Sequence, residues 1–300
     1  MAGPNRMRRA EGRAARAFAA PALTGLAFFV ALPFLLAVIL SLTDLRLGSP
    51  RAPAFVGFEQ FARLAADAGF GRALLNNALF AAVVVPVQTA LALGLALLLN
   101  QGLPLRGLFR TLFFMPVVFP LSLVSVVWIL LYAPGPEGLM NAILSALSFG
   151  AWTPRDFLHD PALALPAIML LSVWQGAGLQ MVILLAGLQA VPAELHVAAA
   201  AVGAGRWARF VHVTLPALRN PLVFVVVVTT ILSFRLFDQV QIMTRGGPGD
   251  ATTVVMFEAV RALFERQQLA RACAMSVVFF LVILAATLVQ RRLLRQESAS

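Results

Sequence analysis

The chain has 300 residues, 60% hydrophobic and 12% charged, with mean hydropathy +0.88 and a formal net charge of +10. Soluble domains are about a quarter charged, so this composition fits an integral membrane protein. All 23 basic residues are Arg, which excludes a P-loop lysine and a Schiff-base lysine, and the single cysteine, Cys273, excludes an internal disulfide and a Cys-rich metal site.

Six segments are long and apolar enough to cross about 30 Å of hydrocarbon as helices. They run over 17–42, 74–100, 108–133, 163–188, 217–242 and 270–290 and predict an all-α polytopic membrane protein. The segment 1–16, "MAGPNRMRRAEGRAAR", resembles a signal-peptide n-region. The apolar run behind it is too long for an h-region, so an uncleaved first span is expected. Arg concentrates in alternate connections: Arg6 to Arg16, Arg106 and Arg110, Arg206, Arg209 and Arg219, then Arg291, Arg292 and Arg295 in the tail 291–300. That bias predicts both termini in the cytoplasm. It also explains the basic charge as topology, which argues against nucleic acid as a partner. The intervening outer loops, 43–73, 134–162 and 243–269, carry Pro, Gly and short amphipathic runs such as "FEQFARLAADAGF" and predict ordered caps. No internal repeat or low-complexity tract is evident.

Between spans four and five lies "ELHVAAAAVGAGRWARFVHVTLP", from Glu194 to Pro216. Pro192 suits the start of a helix, and Glu194 falls where the helix dipole favours an acid. Ala198 and Ala199 begin an alanine run with almost no bulk, and "GAG" at 203–205 stops it, Gly203 taking a left-handed conformation before Ala204. From Arg206 to Val213 the residues segregate. Arg206, Arg209 and His212 share one arc, with Trp207, Phe210 and Val211 opposite, before Leu215 and Pro216 open the fifth span. Periodicity admits two readings: an interfacial helix lying on membrane lipid, or a helix–turn–helix knob whose alanine face receives a partner.

The order of motifs decides between them. "FVGFEQF" at 55–61, "LFRTLFFMPVVFP" at 108–120, "VWQGAGLQMVILLAGLQAVPAEL" and "TRGGPGDATT" at 244–253 accompany the loop. Together they resemble the permease subunit of an ATP-binding-cassette importer of the carbohydrate-uptake type. In that family the loop carries an EAA motif, and Ala198, Ala199, Gly203, Ala204, Leu215 and Pro216 match it. Val197 stands where the family has Glu, and Val202 where it has Asp. The resemblance implies the type I importer permease fold and a coupling loop at 191–216 that inserts into a separate ATPase subunit. With the family's acids absent, coupling there rests on shape, on Glu194 and on the Arg206/Arg209 face. The implied partners are an ATPase dimer, a second homologous permease subunit and a solute-binding protein. The implied location is the bacterial inner membrane, with no cofactor or metal held by this chain.

Polar residues inside the apolar segments are the candidates for a solute pathway. Trp174, Gln175 and Gln180 lie in the fourth, and Ser233, Arg235, Asp238, Gln239 and Gln241 in the fifth. Arg235 and Asp238, three apart on a helix, are expected to pair and offset the cost of a charge in the membrane. They fit either a structural ion pair with interhelical hydrogen bonds or a polar pathway facing a second subunit. Pro86, Gln88, Pro116 and Pro120 mark places where helices can break beside it. An aromatic ring with nearby amides suits a sugar. A membrane enzyme is disfavoured, because His159, His196 and His212 are scattered and Ser233 lacks a nearby base. An ion-coupled carrier or channel without an ATPase is the alternative, disfavoured mildly by the absent repeat.

Overall fold

The computed structural model describes residues 18–101 and 104–296. The basic segment 1–16 and the end of the 291–300 tail therefore lie outside the described residues. The chain divides into two units. Met1–Ala66 with Ala259–Phe279 form one, and Asp67–Glu258 with Phe280–Ser300 the other.

In the first unit, helix α1 spans Phe18–Ser41, with a π turn at Ala27–Ala31 and none of its most apolar window buried. The short helix α2, Glu59–Ala65, follows the loop in which Asp44 accepts the N–H of Ala54 and buried Gln60 donates to the carbonyl of Thr43.

The second unit is built on α3, Ala68–Leu99. It starts ahead of the apolar run at 74 because Asp67 caps it: its Oδ1 accepts the N–H groups of Gly69 (2.8 Å) and Phe70 (3.4 Å). Pro86 sits inside α3 without ending it. The third apolar segment is two helices, α4 (Arg106–Val118) and α5 (Leu121–Leu131), bent by 101°. The cause is local: Pro120 disfavours the helical conformation at Phe119, which is extended (φ −80°, ψ 141°). Helix α6, Leu139–Leu147, lies in the following loop, and α7, Ala164–Gln189, is the central buried helix. It packs along α3 and α4. At Gly178 a Cβ would stand 2.0 Å from the carbonyl oxygen of Phe113, so only glycine allows this approach of backbones.

Beyond α8 (Ala193–Ala201) and α9 (Arg206–Arg209), the fifth span is broken into α10, Arg219–Phe234, and α11, Asp238–Met243. Helices α12, Val255–Phe264, and α13, Leu269–Gln296, complete the chain. One apolar cluster joins Phe80, Val84, Trp128, Ile168, Leu171, Leu236 and Val240; a second joins Ala92, Ala96, Leu99, Met181, Leu184 and Leu218. By length and composition the described helices supply five membrane spans, or six if the bent pair is one.

Candidate functional site

The break between α10 and α11 organises a cavity of about 300 Å³. Small-ligand sites run from roughly 300 to 1,000 Å³, so it is of small-solute size. Helix α3 supplies Phe80, Val84 and Gln88, one stripe at helical spacing, while α7 supplies Ser172, Gln175 and Gly176. Thr229, Leu232 and Ser233 come from α10, Arg235 and Leu236 from the break, Asp238 and Gln239 from α11, and Leu121 from the start of α5. The polar lining is thus mainly amides and hydroxyls. Gln239 is buried; its Nε2 donates to Ser172 Oγ (3.3 Å), and its Oε1 has no protein partner. The amides and hydroxyls of the lining suit the hydroxyl groups of a solute.

Five of the sequence-predicted pathway residues, Gln175, Ser233, Arg235, Asp238 and Gln239, meet in this cavity, while Gln241 does not line it. Trp174 does not line it; its ring lies 5.6 Å from that of Trp128. Gln180 also stands outside the lining, where its Nε2 donates to the Oγ1 of Thr229, a residue that does line it. The expected Arg235–Asp238 pair is absent among the described residues. The reason is the break: Arg235 (φ −80°, ψ 17°) and Phe237 (φ −146°, ψ −58°) leave the helical conformation, so the three-residue repeat no longer stacks the two charges. Instead both side chains are exposed, and Asp238 falls in the first turn of α11, where an acid is favoured. No glycine or proline stands at 234–238; the turn is held by Leu236, Val240 and Met243, which it delivers to the apolar core. Sequence reasoning missed Ser172 and Thr229 and treated Gln88 only as a helix-breaking position.

A larger cavity of about 520 Å³, lined by Arg46, Arg51, Arg63 and Arg271 with Asp44, belongs to the other unit and holds none of the predicted pathway residues.

The segment 193–217 has the opposite character. Helix α8 buries no residue, and Glu194 lies in its exposed first turn. Ala198 is exposed and Ala199 half-buried, while Val197 and Val202 are 68% and 84% exposed. The helix ends at Gly203, whose φ is +78°. The N–H groups of Gly203 and Ala204 close back on the carbonyls of Ala200 and Ala199, each at 3.0 Å, which satisfies the last turn. Gly205, at φ −66° and ψ 171°, leads into α9. That helix carries Arg206, Trp207 and Arg209 and continues as a π turn, Phe210–Thr214. Leu215 and Pro216 form a separate short turn, Leu215–Ala217, so the fifth span opens at Arg219 rather than at the proline. Trp207 is 75% exposed and its ring lies 5.5 Å from that of Phe210.

Long apolar helices around a polar cavity at a broken span, with a small-residue helix pair on a connecting loop, define a polytopic helical membrane protein of the transport class. The chain belongs to the family described as the binding-protein-dependent transport system inner membrane component, whose sequence pattern matches residues 88–296. It is therefore a membrane-embedded permease component rather than a hydrolytic subunit or an ion-coupled carrier. It is 35% identical to the diacetylchitobiose uptake system permease protein NgcF of Streptomyces coelicolor over 266 residues, 85% of this chain and 75% of that one. It is 33% identical to the trehalose/maltose transport system permease protein MalF of Thermococcus litoralis over 269 residues, covering 90% of this chain and 89% of that one. Its fold matches a chain of a bacterial alginate importer, solved with an alginate pentasaccharide-bound periplasmic protein, at TM-score 0.80 and 19% identity over 95% of this chain and 94% of that one.

Proposed function

We propose that this chain is the transmembrane permease subunit of an ATP-driven importer that passes a sugar or related polyol, including a polyol phosphate, into the cytoplasm by alternating access. The observation that carries this reading is the cavity of about 300 Å³ at the α10–α11 break, with its amide and hydroxyl lining. Sugars and polyols present many hydroxyl groups, which such a lining matches. The similarity to permeases named for diacetylchitobiose and for trehalose and maltose supports the same solute class.

In this reading a solute-binding protein docks on the outer loops and delivers the solute, and a second homologous permease subunit faces the cavity. An ATPase dimer receives the 191–216 loop through the alanine face of α8, Glu194, Gly203 and Ala204, the Arg206/Arg209 side of α9, and the Leu215–Pro216 turn. Both termini lie in the cytoplasm. The exposed alanines of α8, beyond Glu194 in its first turn, support close approach by another backbone, because alanine adds almost no bulk between two helices. ATP binding closes the ATPase dimer, and the loop passes that movement to the spans, shifting an existing equilibrium between inward- and outward-open states.

The test is ATP hydrolysis by the reconstituted complex, stimulated by solutes screened across sugars, polyols and polyol phosphates. Stimulation by one such class is expected. Hydrolysis that tracks with this polypeptide free of partner subunits, or a complex stimulated by none of them, overturns the proposal. Thiol labelling of Arg206→Cys from outside intact cells would overturn the topology.

A further inference from the structure

Two adjacent asparagines on α3 hold a distant loop. Asn77 is fully buried, and its Oδ1 accepts the N–H of Val255 at 2.9 Å. Val255 is the first residue of α12, so Asn77 serves as that helix's capping acceptor from another part of the chain. The amide nitrogen of Asn76 donates to the carbonyls of Thr253 (2.8 Å) and Asp250 (3.1 Å).

The loop they hold is closed on itself. The hydroxyls of Thr244 and Thr252 lie 2.7 Å apart, Thr252 Oγ1 donates to the carbonyl of Gly247 (2.8 Å), and Thr253 Oγ1 donates to that of Gly246 (3.0 Å). It can therefore keep its shape if the asparagines are removed and lose their share of its tie to α3, from which another hydrogen bond to the loop runs between the exposed guanidinium of Arg72 and the carbonyl of Gly249 (3.3 Å). Asn77 also continues the stripe of Phe80, Val84 and Gln88 that lines the cavity, at spacings of three and four residues.

We infer that Asn76 and Asn77 clasp the 244–255 loop to the cavity-lining helix, so that loop and helix move as one body and a contact made on the loop is passed to the solute pathway. The two are positioning residues; neither lines the cavity. The transmission half of this inference rests on the proposed docking of a solute-binding protein on the outer loops. The mechanical half does not.

The mechanical half is tested by spin-label distances between Asp250→Cys and Leu79→Cys, in a Cys273→Ser chain within the assembled complex, with and without a non-hydrolysable ATP analogue. A narrow distribution unchanged by nucleotide, which broadens in the Asn76→Ala/Asn77→Ala pair, is expected. A distance that changes with nucleotide in the parent, or a distribution unaltered in the double variant, overturns the clasp. Should the double variant not assemble, Asn76→Ala alone is measured against the same two outcomes.

Transmission is read from ATP hydrolysis against solute-binding protein concentration. Asn76→Ala is expected to lower the maximum about five-fold, the loss of an interaction used in turnover rather than in docking. Its half-saturating concentration should stay within about two-fold, and Asn76→Gln, which keeps the amide donor, should recover part of the maximum. An unchanged maximum, or a loss carried by half-saturation alone, overturns transmission. A parent complex that the binding protein fails to stimulate would instead sink the proposed function and leave the distance test standing.

Discussion

The cavity at the broken fifth span and the loop at 193–217 place their residues in opposite ways. In the cavity, polar groups gather and several are bonded within the chain: Gln239 bonds Ser172, and Thr229, which accepts from Gln180 outside the lining, bonds the carbonyl of Val225. In the loop, small and apolar groups are turned outward, with Val197, Val202 and Trp207 each more than two-thirds exposed. Burying polar groups costs free energy unless they are bonded, and exposing apolar groups forgoes the gain of burial, so each arrangement points to something absent from the isolated chain. On the proposed function, the cavity receives a hydroxyl-bearing solute and the loop a protein surface. Substitutions in the two regions should therefore fail differently.

The largest effect is expected at Gly203. Its φ of +78° penalises any β-branched side chain, although a Cβ there meets nothing within 4 Å. The cost of Gly203→Val is backbone strain alone, at least about 1–2 kcal/mol, which moves a conformational equilibrium about 5–30-fold. Gly205 is the internal control, because its φ of −66° and ψ of 171° suit other residues. Gly203→Val should insert in the membrane yet lose ATPase docking or solute-stimulated hydrolysis, while Gly205→Val keeps both. Equal behaviour of the two variants would show that this turn does not transmit force.

In the cavity, Gln239→Leu removes the bond to Ser172 and one amide of the lining. Uptake by membrane vesicles, normalised to assembled complex, should fall about ten-fold, equivalent to about 1.4 kcal/mol of transition-state stabilisation. Gln175→Leu, at a half-buried position on the same wall, should fall less. Uptake unchanged in both would make these amides packing elements, and the contrast between the two regions would lose its functional meaning.

Arg235 tests the same contrast from the side of charge. Exposed and unpaired with Asp238, it leaves no buried orphan when removed, so Arg235→Leu should change stability by no more than about 0.5 kcal/mol and leave abundance nearly unaltered. A collapse in abundance would mean that the second subunit buries this guanidinium.

How far these features were legible depends on where their causes lie. Long apolar runs declare spans by themselves, and Pro120 marks the bend in the third. The break in the fifth does not announce itself, since no Gly or Pro occurs at 234–238 and the turn depends on distant core partners of Leu236 and Val240. The Arg235–Asp238 expectation failed for that reason. Gln180 was separable from Gln175 in the sequence, because five residues rotate a helix by about 140°. Thr229 and Ser172 were hidden among apolar neighbours, as serine and threonine in spans commonly bond their own helix, which both do here. In the loop, alanines and a Gly-Ala-Gly stop are local signals, so helix, turn and second helix were all readable.

The smallest effect is expected at Val197, and it separates shape from charge in the loop. The family resemblance places a glutamate where this chain has a 68% exposed valine on α8. Exposure means that Val197→Glu strains no packing within the chain, and glutamate has the higher helix propensity, so folding should be unaffected or improved by a few tenths of a kcal/mol. Position 197 lies beyond the first turn of Ala193–Ala201, so the dipole adds little. Any change must therefore come from the surface against which the loop docks. A partner that keeps a basic group opposite this site would tolerate the acid and bind it more tightly at low salt. One adapted to valine would bury an unpaired carboxylate and dock less well. Solute-stimulated hydrolysis measured at low and high salt distinguishes these outcomes. Tolerance with a salt-dependent gain is expected, and a loss at every salt concentration would show that the alanine face and the valine together form an apolar, charge-free interface.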